Sequence, residues 1–288
     1  MTPETLTQGP RPIRDFLGQL GWAPRIALSV LTIIVIITLL SPWIAPYDPL
    51  KMEPAIRLQG MSGAHLLGTD GFGRDLFSRV LIGGRVSLLI GIGAAVVSVL
   101  IGLVIGMIAG FFRSLDGPVM RVMDALMAIP SILLAIALVA LNGPSIGSVI
   151  TAITIPEIPR VVRLVRSVVL TAREEAYVEA AIALGTPTWK LLVRHLVPNT
   201  MAPLIVQGTY ILAAAILTEA ILSFLGAGVS TETPTWGNIM AEGRSFFRLK
   251  PELILWPGLV LSLCILSVNL LGDAARDMLD PRLKKRAG

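Results

Sequence analysis

The chain has 288 residues, of which 54% are hydrophobic and only 15% are charged. A soluble domain of this size carries about 25% charged residues, so the composition favours a membrane protein. The net charge is +5, but the basic residues stand at the ends of apolar segments and form no patch interleaved with aromatic side chains. We therefore expect no nucleic-acid partner.

The sequence offers no catalytic or metal site. Cys264 is the single cysteine, which excludes an intramolecular disulfide. His65 and His195 lie far apart, and neither has a ligand partner at metal-binding spacing. No Gly-Lys dipeptide occurs, although a phosphate-binding P-loop requires one. We expect that the chain binds no metal or cofactor, hydrolyses no ATP and is not an enzyme.

Six apolar segments are long enough to span a bilayer, which takes about 20 residues. The first is too long for a cleaved signal peptide and ends at Pro42 and Pro46, so we interpret it as a retained anchor. The fourth is the least regular, because two prolines and two charged residues interrupt it between 156 and 160. The six predicted transmembrane helices cover residues 26–45, 87–111, 118–141, 145–169, 201–225 and 253–271.

Lys and Arg residues indicate the orientation, because loops rich in them face the cytoplasm. Sixteen of the 24 basic residues lie on one side, in the two terminal tails, at the turn with Arg113 and Arg121, and in the stretch from Arg160 to Arg194. The sequence thus predicts an all-α polytopic membrane protein with both termini cytoplasmic. Its expected parts are a cytoplasmic tail 1–25, a first helix 26–45, an extracytoplasmic segment 46–86, a five-helix region 87–273 with a cytoplasmic loop 170–200, and a cytoplasmic tail 274–288.

The loop 170–200 contains the most informative segment. Glu179-Ala180-Ala181 lies on helix-forming sequence, and Gly185 is predicted to end that helix. Thr186-Pro187 then starts another helix, with Thr186 as the N-cap and Pro187 at the first helical position. The pattern predicts a helix–turn–helix elbow. Read alone, it also fits an ordinary surface helix with a glycine at its C-terminal cap.

This elbow resembles the EAA loop in the permease subunits of binding-protein-dependent ABC importers, where a coupling helix docks on an ATPase. Further motifs resemble the C-type permease of dipeptide, oligopeptide and nickel importers, over about residues 20 to 283. They include Thr218 to Gly226, Pro234-Thr235-Trp236-Gly237 and Asn269 to Asp273. The stretch 65–75 is similar to the extracytoplasmic signature of that family, carried here by Gly68, Thr69, Asp70, Gly73, Arg74 and Asp75.

The resemblance implies a type I ABC importer permease fold in a bacterial or archaeal cell membrane. It implies that the chain forms half of a translocation pore for di- or oligopeptides, in contact with membrane lipid. The implied partners are a homologous second permease, two ATPase subunits that bind ATP and Mg, and an extracytoplasmic solute-binding protein. The residues implied to couple the pore to the ATPases are Glu179, Ala180, Ala181, Leu184 and Gly185.

Two other functional interpretations remain open. Within the same family, nickel chelates or glutathione are alternative substrates. A nucleotide-independent channel or carrier is an alternative class, and such carriers use broken helices. The proline pair of the fourth span slightly favours that class, whereas the elbow opposes it.

Polar residues in the predicted spans are the candidates for a pore or gate. An ionisable group in a span is costly, so Glu219 is expected to pair with a basic group of the second permease, to contact substrate, or to be half-exposed. Asp124 is expected to pair with Arg121, one turn earlier. The other candidates, which either line the pore or join helices through hydrogen bonds, are Gln207, Thr209, Tyr210 and Asn269.

Three repeated or paired motifs have structural interpretations. Small residues four apart let helices approach closely, which predicts tight packing or a hinge at the glycines of the second span. Basic residues three apart at the end of the fourth span are expected to extend to lipid headgroups. Arg74 and Asp75 either organise the outer segment against a partner or form a local ion pair. The glycines are Gly102, Gly106 and Gly110, and the basic residues are Arg160, Arg163 and Arg166.

Overall fold

The computed structural model describes residues 21–279, so most of the predicted N-terminal tail and the last nine residues lie outside it. The described part is built of helices, and its one β-bridge joins Thr69 to Asp75. This confirms the all-α prediction. We number nine helices: α1 (Trp22–Leu39), α2 (Leu76–Phe111), α3 (Arg113–Met127), α4 (Ser131–Asn142), α5 (Ile146–Arg173), α6 (Ala176–Ala183), α7 (Thr188–Phe224), α8 (Trp236–Gly243) and α9 (Glu252–Leu279). Short helical turns occur at Ser41–Ile44, Pro54–Ile56 and Arg244–Phe246.

Four described helices, α1, α2, α7 and α9, are long and apolar enough to cross a membrane. The pair α3 and α4 makes a fifth candidate if it is a single bent span, but the two helices meet at 90°. The predicted third span is therefore broken, because Pro130 stands before α4 and cannot continue a helix from α3. α5 is not among the candidates, since Glu157 and four arginines lower its hydropathy. The six-span count stays a prediction.

The second predicted span is the apolar part of a longer helix. α2 begins at Leu76 rather than at residue 87. Asp75 caps it by accepting hydrogen bonds from the backbone N–H of Ser78 at 2.8 Å and from the Ser78 hydroxyl at 2.7 Å. The hydropathy pattern missed these first turns because they contain polar residues. In the structure the loop that precedes α2 covers those residues.

α5 is one continuous helix, although it contains Pro156 and Pro159. It packs lengthwise against the three glycines of α2, where a Cβ atom would lie 2.4, 2.7 and 2.8 Å from a valine side chain. Such distances leave no room for a larger residue, so the predicted close packing is confirmed. The pairs are Gly102 with Val161, Gly106 with Val165, and Gly110 with Val169.

α8 is a short helix that packs back onto α2 and α7. The Thr235 hydroxyl caps its start by accepting from the backbone N–H of Asn238 at 3.0 Å. The Trp236 side chain is fully buried, and its Nε1 donates to the carbonyl of Val80 at 3.0 Å. A Cβ on Gly237 would lie 2.7 Å from the Cα of Ala220. The motif Pro234-Thr235-Trp236-Gly237 is thus a packing element.

Candidate functional site

The elbow consists of α6, a turn at Gly185 and the start of α7. Gly185 has a φ of 75°, in the left-handed region. Its N–H donates to the carbonyl of Ile182 at 2.9 Å, and the N–H of Thr186 donates to that of Ala181 at 3.1 Å. These two bonds form a Schellman motif, which ends a helix at a glycine. The predicted helix break at Gly185 is confirmed.

The start of α7 differs from the prediction by one residue. Pro187 occupies the N-cap position with extended backbone, and α7 begins at Thr188. The prediction of Thr186 as the N-cap and Pro187 as the first helical residue is therefore wrong. The reason is that Thr186 is still held by the Schellman bond to Ala181, so its side chain caps nothing.

The elbow has an inner and an outer face. Val178, Ala181 and Leu191 are buried and belong to the apolar cluster that also holds the valines of α5. Among the predicted coupling residues, Ala181 therefore packs inward, whereas Glu179, Ala180, Leu184 and Gly185 are exposed. The outer face is strongly apolar: Ile182, Leu184 and Trp189 are 49%, 86% and 68% exposed. An apolar surface of this kind marks an interaction site.

The elbow is firmly attached to the helices on both sides. Only Glu174 and Glu175 separate α5 from α6. Asn199 of α7 donates to the hydroxyl of Tyr177 in α6 at 2.7 Å. Near its start, α7 contains a π-helical turn at Leu192–Leu196, a feature that is frequent at functional sites.

At the other end of the molecule, four charged side chains form a network. Asp70 and Glu242 accept hydrogen bonds from Arg74 and Arg79. Arg74 Nε lies 2.7 Å from Asp70 Oδ2, and Arg79 Nη1 lies 2.6 Å from Glu242 Oε2. Arg74 also bonds Glu242, and Arg79 also bonds Asp70. Asp70, Arg74 and Arg79 are buried, so two positive and two negative charges balance inside the protein.

The signature residues 65–75 thus hold a loop together internally. Arg74 and Asp75 do not pair with each other, since Asp75 caps α2 and accepts from His65 Nδ1 at 2.9 Å. Thr69 accepts from the N–H of Gln59 at 2.9 Å. Gly73 has a φ of 76°, and a Cβ there would lie 1.9 Å from the carbonyl oxygen of Glu53. Gly68 likewise has positive φ. The sequence did not indicate that Arg79 and Glu242 belong to this network, because neither residue is part of a local motif.

Glu219 lies inside the subunit. It is fully buried and accepts hydrogen bonds from the hydroxyls of Ser87 at 3.1 Å and Ser223 at 2.8 Å. The half-exposed position considered above is therefore wrong. In this structure the carboxylate joins α7 to α2, and no described basic residue forms an ion pair with it.

The acidic partners of the α5 arginines correct one expectation. Asp124 pairs with Arg163 of α5 at 2.6 Å, and not with Arg121. That prediction failed because it considered only neighbours along one helix. Arg166 forms a bidentate pair with Asp116 of α3, in which Arg166 Nη2 lies 2.6 Å from Asp116 Oδ2. Arg160 contacts Glu157 at 3.2 Å, so all three arginines are paired with carboxylates. Contact of these arginines with lipid headgroups stays a prediction.

The remaining pore candidates lie near the middle of α7 and in the C-terminal half of α9. Gln207 and Tyr210 line a cavity of about 490 Å³ together with Arg276. The Tyr210 hydroxyl donates to Asp273. Asn269 is half-buried one turn before Asp273. Within residues 21–279, no group of three His, Cys, Asp or Glu side chains is arranged to hold a metal ion.

Fold and elbow together define a helical membrane protein with an exposed apolar elbow. The family model for the binding-protein-dependent transport system inner membrane component matches residues 98–285. The chain belongs to this family, so ATP hydrolysis is performed by separate subunits and the chain is not an enzyme.

Named relatives agree with this assignment, and a solved structure agrees with the fold. The chain is 41% identical to the di/tripeptide transport system permease protein DppC of Pseudomonas aeruginosa, covering 96% of this chain and 95% of the relative. It is 39% identical to the glutathione transport system permease protein GsiD of Pectobacterium atrosepticum, over 94% and 90%. The fold resembles the inward-facing MetNI methionine ABC transporter with a TM-score of 0.58, at 17% identity, over 71% of this chain and 98% of that one.

Proposed function

We propose that this chain is a pore-forming permease subunit of an ATP-driven peptide importer, and that its elbow receives the movement of an ATPase subunit. The assembly would contain a second, homologous permease, two ATPases that bind ATP and Mg, and an extracytoplasmic binding protein. Both termini and the elbow would face the cytoplasm. Signature residues 65–75 would face the opposite side.

The observation that carries the proposal is the outer face of the elbow. Ile182, Leu184 and Trp189 expose large apolar side chains on a short, rigid turn, while Val178 and Ala181 anchor that turn to the α2–α5 interface. A partner that covers the outer face would bury apolar surface. Because the inner face is packed, any displacement of the elbow would be passed to α5.

Peptide is the substrate class that the relatives support. The match to the di/tripeptide permease of Pseudomonas aeruginosa covers nearly the whole chain. The similarity to the glutathione permease of Pectobacterium atrosepticum leaves glutathione as an alternative substrate. Nickel chelates remain a further alternative. A panel of these substrates, offered to vesicles that contain the complete importer and its binding protein, would distinguish them.

Gly185→Val tests the coupling role. Valine at a φ of 75° is strained, so the turn should change shape, and we expect substrate uptake to fall about tenfold or more while ATPase activity loses its dependence on the binding protein. Gly143→Val is the matched control. Gly143 has a φ of 79° and, like Gly185, nothing within 4 Å of an added Cβ, but it lies in the α4–α5 turn.

The two variants separate strain from coupling. If Gly143→Val and Gly185→Val lose uptake equally, backbone strain alone explains the effect and the elbow has no special role. If vesicles with this chain alone move substrate without nucleotide, the chain is a channel or carrier and the proposal is wrong. Normal uptake and normally stimulated ATPase in Gly185→Val would also contradict it.

A further inference from the structure

A groove between α1 and α2 combines an apolar lining with a single positive charge. It encloses about 460 Å³. Its apolar walls come from both helices, and the guanidinium of Arg85 is its one charged group. Half-exposed leucines at its edges leave it open to the surroundings. The lining includes Val35 and Leu39 of α1, and Ile82, Val86, Leu89 and Ile92 of α2.

The polar groups beside the groove, other than Arg85, are already satisfied. The Thr38 hydroxyl donates within α1, to the carbonyl of Ile34 at 2.8 Å and to that of Val35 at 3.0 Å. Arg85 is exposed, and no described residue forms an ion pair or hydrogen bond with it. By contrast, Arg74 and Arg79, earlier on the same stretch, are held by carboxylates. The groove therefore presents an unpartnered cation next to hydrocarbon walls.

The length and hydropathy of α2 would place the groove at the level of a membrane–water boundary. α2 has 36 residues and is about 54 Å long, which exceeds the roughly 30 Å of a bilayer core. Its apolar part begins near residue 87, so Arg85 stands just outside it. Trp43 follows the end of α1 and is 80% exposed. Exposed tryptophans are enriched at membrane interfaces, so both helices place the same boundary beside Arg85.

We propose that this groove binds a phospholipid, with the phosphate on Arg85 and one acyl chain between α1 and α2. Charge complementarity favours an amphiphile with an anionic head, because the site has one cation and otherwise only apolar walls. A transmembrane helix of a partner protein would fill the apolar walls but would leave the guanidinium without a counter-charge. An arginine near the end of a span directs its charge to the headgroup level.

The test uses the assembled transporter, stripped of lipid in detergent and titrated with phosphatidylglycerol under native mass spectrometry. We expect Arg85→Gln to weaken the binding of the lipid about tenfold, or about 1.4 kcal/mol, because one charge-assisted contact is lost. Leu89→Trp, which fills the groove but keeps Arg85, should also weaken it, and Arg85→Lys should restore most of it. The matched control is Arg248→Gln, because Arg248 is exposed and does not line this groove.

Soluble competitors show which part of the lipid is recognised. We expect inorganic phosphate and the chain-free headgroup to compete poorly, because neither buries hydrocarbon in the groove. Equal lipid binding by wild type and Arg85→Gln would overturn the proposal. So would effective competition by inorganic phosphate, which would indicate a simple anion site. Absence of bound lipid in the wild-type assembly would show that another subunit covers the groove, and would overturn it as well.

Discussion

Arg79→Gln should destabilise the segment between α1 and α2 strongly. The Arg79 guanidinium is fully buried and donates to both Asp70 and Glu242. Without it, two carboxylates share the single guanidinium of Arg74, and one negative charge stays uncompensated inside the protein. Removing one partner of a buried ion pair costs about 3–5 kcal/mol. Because Nε and Nη2 of Arg79 have no partner among residues 21–279, we expect the lower end, about 3 kcal/mol.

A second substitution isolates the charge imbalance. Glu242→Gln in the Arg79→Gln background restores neutrality, with Asp70 and Arg74 as the remaining pair. We therefore expect the double variant to be more stable than the sum of the two single effects predicts, by about 1–2 kcal/mol. Lys51→Gln is the control, because Lys51 contacts Glu53 in the same segment but both side chains are largely exposed, at 63% and 44%. We expect no measurable change there.

The assay is denaturant unfolding of the purified chain in detergent, followed by tryptophan fluorescence. Trp236 is fully buried at the start of α8, the helix that carries Glu242, so its emission reports on this region. The midpoint should fall in Arg79→Gln with an unchanged slope, which identifies a stability effect. A loss below about 1 kcal/mol, or strictly additive single effects, would refute the idea that the network is held by mutual charge compensation.

Two further changes test the helix interfaces. Gly106→Leu should prevent α2 from approaching α5, since an added Cβ would lie 2.7 Å from Val165, and the thermal midpoint should fall clearly. Gly117→Leu is the control and should change the midpoint little, because nothing lies within 4 Å of an added Cβ there. Equal losses in the two variants would show that the effect is not packing. Glu219→Leu should lower the free energy of unfolding by about 1–3 kcal/mol, because the Ser87 and Ser223 hydroxyls lose their acceptor. Glu219→Gln keeps an acceptor and should retain most of the stability. Equal stability of the two variants would contradict the role of Glu219 as the acceptor that joins α7 to α2.

The elbow was predictable because its determinants are local. α6 ends at Gly185 through two bonds, from Gly185 to Ile182 and from Thr186 to Ala181, and a glycine that ends a helix is visible in a single sequence. The glycine–valine interface was half predictable: the spacing of Gly102, Gly106 and Gly110 indicated close packing, but not the partner helix. Hydropathy likewise located the apolar part of α2 and missed its polar start.

The charge pairs were not predictable, because they join distant positions. Arg74 and Glu242 are 168 residues apart in sequence, and Arg163 and Asp124 are 39 apart. The rule that pairs Asp124 with Arg121 is sound for an isolated helix. It fails here because α3 packs against α5, which offers Asp124 the guanidinium of Arg163. Only the tertiary arrangement decides between the two.

The structure also explains how a push at the elbow can reach the rest of the subunit. α5 precedes the elbow and is separated from it by a two-residue turn, and its 28 residues span about 42 Å. Its two prolines were the sequence feature that favoured a broken-helix carrier, yet the helix continues through both. The sharp 90° bend lies instead between α3 and α4.

That bent segment is tied to α5 by two ion pairs, Asp116 with Arg166 and Asp124 with Arg163. On the opposite flank, the glycine face of α2 packs so closely against α5 that a Cβ atom on any of its three glycines would overlap a valine. We expect movement of α5 to carry α2 and α3 with it. If an ATPase covers the elbow, as proposed above, a stiff α5 between the elbow and the bent α3–α4 segment would convert a local displacement into a rearrangement of the bundle, which is what alternating access by an ATP-driven permease requires.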